Sequence, residues 1–389
     1  MPPVIDLDGL GLDNGGHLLI DRALSTLRPG ESLTVSGHHP ALEIHLAAWC
    51  RAEGHLYRRE LTVVKGPADA ERWAHAERAG EAAATVAEHA KLQWGLAARG
   101  ALIEPGGPPL DVDWAERDHV WADIAPQLYA QANASQWNPA TAVDWAGPHV
   151  VPQDIETAVV QIMTYLVENE QAALMIPARM LARLHPHYRE VMQLLAAQAA
   201  DEARHVEIFT RRALLHRDVL GVSGAGGRSS LQSLLDEPDF TLASFLLSVL
   251  GEGSFLDLLR FIQRHAPDRA TADVTRLAGR DEARHVAFGV AHTAHVVRSD
   301  PAHLIRLRAA VERRHSVLAD TAGLNREVFD SLVVLAAGSW TPAAVARGWQ
   351  EVQRLQAAMD EGRQRRLEFI GFPPDEATAI SALHTRNFM

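Results

Sequence analysis

The chain has one cysteine, Cys50, among 389 residues, so no internal disulfide can form. A reducing compartment, the cytoplasm, is the expectation. It also lacks a surplus of positive charge: 37 Lys and Arg stand against 49 Asp and Glu, a formal net charge of −12. A surface that binds polyanions has to be basic, so nucleic acid and anionic membranes are poor partners. The first residues, MPPVIDLDGL, lack a basic segment followed by an apolar one, and no signal peptide is expected. Long apolar runs are missing too. The most apolar stretches, such as Phe245–Leu250, are far shorter than a bilayer span. Past Trp114 no strand of useful length is legible. What remains is 47% hydrophobic and long enough for a large core and two domains.

The character of the chain changes near residue 66. Before it, Val4–Leu7, Ser32–Val35 and a weaker run at Leu61–Val64 read as strands, with helical patterns over His17–Thr26 and Ala41–Ala52. Pro29-Gly30 and His39-Pro40 break them, giving a small α+β unit of order β-α-β-α-β. Residues 67–113 read as a connector. It begins with an Ala- and Glu-rich helix over Ala68–Arg99 and ends in the linker sequence EPGGPP. Residues 114–370 read as long helices: Asp154–Arg183, His187–Arg217, Leu242–His265, Arg269–Arg298 and Pro301–Leu318, then shorter ones to Arg366. GVSGAGGRSS, Gly221–Ser230, is expected to be a flexible loop, and 371–389 an irregular or partly helical tail.

The pentapeptide DEARH occurs twice, at Asp201–His205 and Asp281–His285. Glu202 and His205 are three apart, as are Glu282 and His285, so each pair projects from one helix face. A single Glu-x-x-His is most simply a salt-bridged surface. Two copies 80 residues apart leave room for one helix out and one back. A four-helix bundle holding a dinuclear carboxylate site needs such a pair from two helices and one further Glu from each of the other two. The helix before the first copy carries an apolar stripe of Val159, Met163, Leu166, Val167, Leu174 and Pro177. Glu170 falls inside it, whereas Glu168 lies off it. The helix before the second copy has one Glu, Glu252, among Val249, Phe255, Leu256 and Leu259.

Four carboxylates and two imidazoles suit iron or manganese better than zinc or calcium, and four carboxylates neutralise two divalent ions. Asp201 and Asp281 are placed to orient the histidines in crossed fashion, Asp201 on His285 and Asp281 on His205, with Arg204 and Arg284 pairing with them. Met163, Ala173, Leu174, Gln198, Phe209 and Phe255 are candidates to line a substrate pocket.

Over about Ser135–Val297 this pattern resembles the ferritin-like diiron carboxylate proteins: monooxygenase hydroxylases, ribonucleotide reductase small subunits, acyl-carrier-protein desaturases and 4-aminobenzoate N-oxygenase-like enzymes. ENEQAALMIPARML, DEARH, GEGSFLDLL and DEARH stand in the family's order, and QWNPATAVDW resembles the stretch entering its first ligand helix. The resemblance implies a ferritin-like bundle with extra helices. It implies metal ligation by Glu170, Glu202, His205, Glu252, Glu282 and His285, with two iron ions or a Mn/Fe pair and O2 as co-substrate. It further implies a small organic substrate, a reductase or ferredoxin as electron donor, and a homodimer. Phe209 stands where radical-bearing reductase subunits have tyrosine, and Ala278 where the N-oxygenases have a further histidine, which turns the reading away from both. The expected function is that of an O2-dependent oxygenase or oxidase, with peroxide scavenging or iron handling as the alternative. The first 66 residues resemble a TusA-like sulfur-carrier domain, but Leu12 occupies the position of its nucleophilic cysteine. A degenerate domain used for docking or dimerisation follows, since an alkyl group cannot carry persulfide chemistry.

Overall fold

The computed structural model describes residues 2–67, 72–148, 150–318 and 326–385. The chain divides into two compact units, residues 1–85 with 93–109 and residues 86–92 with 110–389. The division thus falls later than residue 66, and most of the expected connector belongs to the first unit.

In the first unit, strands β1 (Val4–Asp6), β2 (Ser32–Ser36), β3 (Leu56–Arg58) and β4 (Thr62–Val64) form a sheet of order β1-β2-β4-β3. β1 and β2 are parallel, with Ile5 opposite Val35, and the other pairings are antiparallel. Alternation in β2 buries Leu33 and Val35. Helices α1 (Gly16–Ser25) and α2 (Leu42–Ala52) bury Ile20, Leu24, Leu46 and Cys50 in the same core. Burial pushes the Cys50 thiol up to about 11, so it is an inert core residue. The β3 strand was not legible in the sequence because its three residues carry no alternation long enough to read.

Over the described residues 72–99 the expected long helix is not formed. Its first four residues lie outside the described ones. The rest holds a strand, β5 (Glu77–Arg78), paired with β6 (Leu102–Ile103), and a helical turn at Leu92–Trp94. Alanine supplies helix propensity, but the segment has no apolar stripe to bury, and Gly80 and Gly95 take positive φ. The EPGGPP stretch is exposed.

The second unit is mostly helical: α3 (Ala125–Ala134), α4 (Gln153–Leu181), α5 (Arg189–Ala213), α6 (Ala225–Leu235), α7 (Phe240–Arg264), α8 (Arg269–Ser299), α9 (His303–Leu318), α10 (Arg326–Ala337), α11 (Pro342–Ile370) and α12 (Pro374–Thr385). α4 packs along α5, α7 along α8, and α5 against α8, around a core including Val159, Ile162, Leu166, Phe209 and Phe255. Two expectations need correcting. Residues 225–230 start helix α6 rather than continuing a loop, because Leu234 and its neighbours give that segment a face to bury. α11 is 29 residues long rather than short, and the tail packs on it as α12. α7 is long and apolar enough by composition to cross a membrane, but 83% of its most apolar window is buried in the bundle, where a core helix passes the same test.

Candidate metal centre

Each of the four bundle helices brings one or two polar side chains to the same buried point. Glu170 of α4 is 2% exposed inside the apolar stripe, and Glu168 is only half-buried and outside the cluster. Glu202 and His205 come from α5, Glu282 and His285 from α8, and all four are buried. Glu252 sits at the end of a π-helical segment, Phe245–Glu252, inside α7. That one-residue widening is not readable from periodicity, and such bulges recur at functional sites. The Arg366 Nε–H donates to the Val249 carbonyl at 2.8 Å, satisfying one acceptor of the widened turn.

The six side chains form two interlocked groups, Glu170, Glu202, His205 and Glu282, and Glu202, Glu252, Glu282 and His285, with donor atoms in each within 4.8 Å of one another. Glu202 and Glu282 belong to both and lie between the two histidines. His205 Nδ1 is 3.0 Å from Glu202 and 3.2 Å from Glu282; His285 Nδ1 is 3.0 Å and 3.4 Å from the same two. Glu170 lies 3.6 Å from His205, and Gln198 donates to Glu252 at 3.1 Å.

The opposite ring nitrogens meet the aspartates in crossed fashion. His285 Nε2 is 3.1 Å from Asp201 and His205 Nε2 is 3.4 Å from Asp281. Arg284 donates to both aspartates, at 2.9 and 2.7 Å, and Arg204 to Asp201. Trp137, which no local signal singles out, donates its indole N–H to Asp281 at 2.7 Å and lies parallel to the His205 ring. Its partner is 144 residues away in sequence, so only the fold reveals the contact.

The electrostatics of the bare cluster are those of anions crowded without counter-ions. Burial first, and the Glu282 carboxylate next, hold Glu170 and Glu252 well above the usual carboxylate range. Burial alone would lower both histidines, but the Glu170 carboxylate beside His205 and Glu202 beside His285 raise them well above normal. Burial opposes the ionisation of Glu202, and the two imidazoles outweigh it and hold that carboxyl low. Despite the short distances, Glu170 Oε1, Glu202 Oε1, Glu252 Oε2, both Glu282 oxygens and His285 Nδ1 make no hydrogen bond. Buried polar atoms are rarely left so, and orphaned donors of this kind around one point fit cations as their missing partners.

A small cavity of about 30 Å³ opens beside the cluster, with Glu170, Glu252 and Glu282 in its wall. Of the six expected lining residues it takes Ala173 and Phe255. Gln198 lines a smaller neighbouring cavity, Met163 and Phe209 are fully buried core, and Leu174 is half-buried away from both. Aromatic and thioether side chains near a site pack as core just as readily, so type alone did not separate them. The lining missed by the sequence comes from α6, α9 and the π-helical segment: Leu231, Leu234, Leu246, Leu247 and Arg314.

Fold and site together define a helical bundle with a buried carboxylate–histidine cluster of dinuclear form. No protein-family model matches the chain, and no curated protein matches it. Solved structures of R2-like ligand-binding oxidases are similar to it. A variant with an aerobically reconstituted Mn/Fe cofactor has 17% identity and a TM-score of 0.45, covering 66% of this chain and 94% of that one. One after a long soak has 16% identity and a TM-score of 0.41, covering 68% and 91%. The one from Sulfolobus acidocaldarius has 17% identity and a TM-score of 0.43, covering 66% and 94%. At these values the likeness carries no argument about what this chain does.

Proposed function

We propose that the chain is a ferritin-like, O2-dependent oxidase or oxygenase with a dinuclear iron or Mn/Fe centre, acting on a small organic substrate. The observation that carries this reading is the pair of interlocked ligand groups sharing Glu202 and Glu282. Glu170 and His205 would complete one metal position and Glu252 and His285 the other. Oxygen-rich ligation with one imidazole per position suits iron and manganese.

Such a pair, when bound, supplies electrons to O2. The protein's part is to hold and insulate. Asp201 and Asp281 accept from the outer N–H of each imidazole and leave Nδ1 free to face a cation. Gln198 orients Glu252. The leucines and Phe255 of the cavity exclude water from the reacting substrate. We propose a homodimer and a cytoplasmic location, with a reductase or ferredoxin supplying electrons. The first unit, read as a degenerate TusA-like domain, would serve docking or dimerisation.

The test is to load the protein with Fe(II), add O2, and follow the optical spectrum with candidate substrates present. Hydroxylation, desaturation, N-oxidation or cleavage of a substrate supports the reading. Iron turned over with every substrate untouched favours a protective, peroxide-scavenging or iron-handling metalloprotein instead.

A further inference from the structure

We infer that a basic groove between α7 and α11 binds a phosphate monoester, its phosphate held by Arg260, Arg365 and Arg366 and its ring-bearing body lying on Leu256, Val290 and Phe369. The groove is separate from the metal centre. None of the six candidate ligands lines it, and it shares no residue with the cavity beside the cluster.

The groove has a volume of about 330 Å³, in the range of small-ligand pockets. Its wall carries three arginines and one carboxylate, Asp257. Asp257 is already engaged, its Oδ1 accepting from Arg260 Nη1 at 3.2 Å. Among the described residues no carboxylate lies within ion-pair distance of Arg365 or Arg366. The wall therefore keeps two positive charges without partners, on a chain whose formal net charge is −12.

Arg366 is fixed before any ligand arrives. Its Nε–H donates to the Val249 carbonyl at 2.8 Å. Two glycines make room for the guanidinium. A Cβ on Gly253 of α7 would fall 2.5 Å from its Cζ, and one on Gly362 of α11 would fall 3.2 Å from Nη1. Glycine inside a helix destabilises it, and here two of them flank one side chain. Nη2 is buried and makes no hydrogen bond. Burial, and the neighbouring Arg363 next, hold the Arg366 pKa down to about 10. A half-buried cation of this kind calls for an anion.

Charge and shape choose that anion. Two unpartnered positive charges match the charge of about −1.5 to −2 on a phosphate monoester better than the single charge of a carboxylate. Guanidinium groups present parallel N–H donors that suit phosphate oxygens. Phe369 lies four residues beyond Arg365 and three beyond Arg366, on the same face of α11, and is 69% exposed. Leu256 and Val290 add apolar surface from α7 and α8. Inorganic phosphate leaves that surface unused, whereas a ring attached to the phosphate covers it.

Isothermal titration calorimetry on the full chain, at physiological ionic strength, tests this with phenyl phosphate against phenol, AMP against adenosine, and inorganic phosphate alone. At least one ester should bind about tenfold to a hundredfold more tightly than its uncharged parent, and more tightly than inorganic phosphate. Arg366→Gln should remove that preference. If it does not fold, Arg365→Gln, at an exposed position, should weaken the ester about threefold or more. Arg347→Gln, an exposed arginine elsewhere on α11, should leave ester binding unchanged. Phosphates also bind iron and manganese, so the titrations are repeated after chelation, and the affinity should persist. No heat from either ester, inorganic phosphate bound as tightly as both, or an ester preference that survives Arg366→Gln or Arg365→Gln overturns the inference. So does an equal loss in Arg347→Gln, which would mean attraction by overall charge, or binding that disappears with the metals.

Discussion

Replacing Arg212 with methionine should cost this protein about 3 kcal/mol of stability, near the lower end of the range for breaking a buried ion pair. Arg212 of α5 is fully buried and donates two parallel hydrogen bonds to Glu156 of α4, at 2.7 and 2.9 Å. It also reaches Asp268 at 2.5 Å and Thr271 Oγ1 at 2.7 Å at the start of α8, so one side chain ties three bundle helices. Methionine keeps most of the volume and removes the charge. Glu156, 3% exposed, is then a buried carboxylate without its partner. Two features soften the loss. Glu156 lies in the first turn of α4, where the helix dipole favours an anion by about 0.3–1 kcal/mol. Asp268 still caps α8, accepting from the Thr271 N–H at 2.7 Å. Adding Glu156→Leu to Arg212→Met removes the stranded anion and should restore at least about 1 kcal/mol. Urea unfolding followed by helical circular dichroism measures both. A loss below about 1 kcal/mol for Arg212→Met would mean the network behaves like a surface pair. A double variant no more stable than the single one would refute the stranded-charge argument.

Burial pushes His292 down to about 4, with its ring between the Thr241 hydroxyl and the Trp121 carbonyl. The unfolded chain therefore takes up the proton first. The stability held by the neutral ring is complete above about pH 6.5 and falls as pH drops to about 4, by up to about 3 kcal/mol. Melting temperatures of wild type and His292→Gln across that window should converge toward low pH; parallel curves would contradict the assignment. Gly289→Ala places a Cβ 2.5 Å from the Ser248 Cβ on the π-helical segment. It should cost about 1–3 kcal/mol by overpacking, and a thermal melt unchanged from wild type would show that α7 yields freely there. Trp137→Phe removes the donor to Asp281 and should weaken iron or manganese affinity about 10–100-fold, read by competition with a chelator. Unaltered affinity would show that Arg284, Arg204 and His205 hold that aspartate without the indole.

The site was legible because ligands in a helical bundle must repeat at helical spacing. Glu202, His205, Glu282 and His285 announce themselves as a doubled word, and Glu170 and Glu252 as charges stranded on apolar stripes. The crossed aspartates followed from the same symmetry. What escaped depends on contacts that leave no local trace. Trp137 meets Asp281 from another element, Arg314 approaches the cavity from α9, and the π-helical turn before Glu252 is a one-residue change in winding. The segment 72–99 failed for a different reason. Its alanines read as a helix, but nothing apolar lay along one face to be buried, and glycine turns took over. Helix α6 was misread in the opposite direction, its glycines and serines hiding a short buried face.

The central claim is that six side chains on four helices hold two metal ions through two shared carboxylates. Measuring iron and manganese per chain in wild type and in Glu202→Ala and Glu282→Ala tests it most directly. The account predicts two ions in the wild-type chain and loss from both positions in each variant, since each of these residues belongs to both ligand groups. Metal content unchanged in both variants would contradict it.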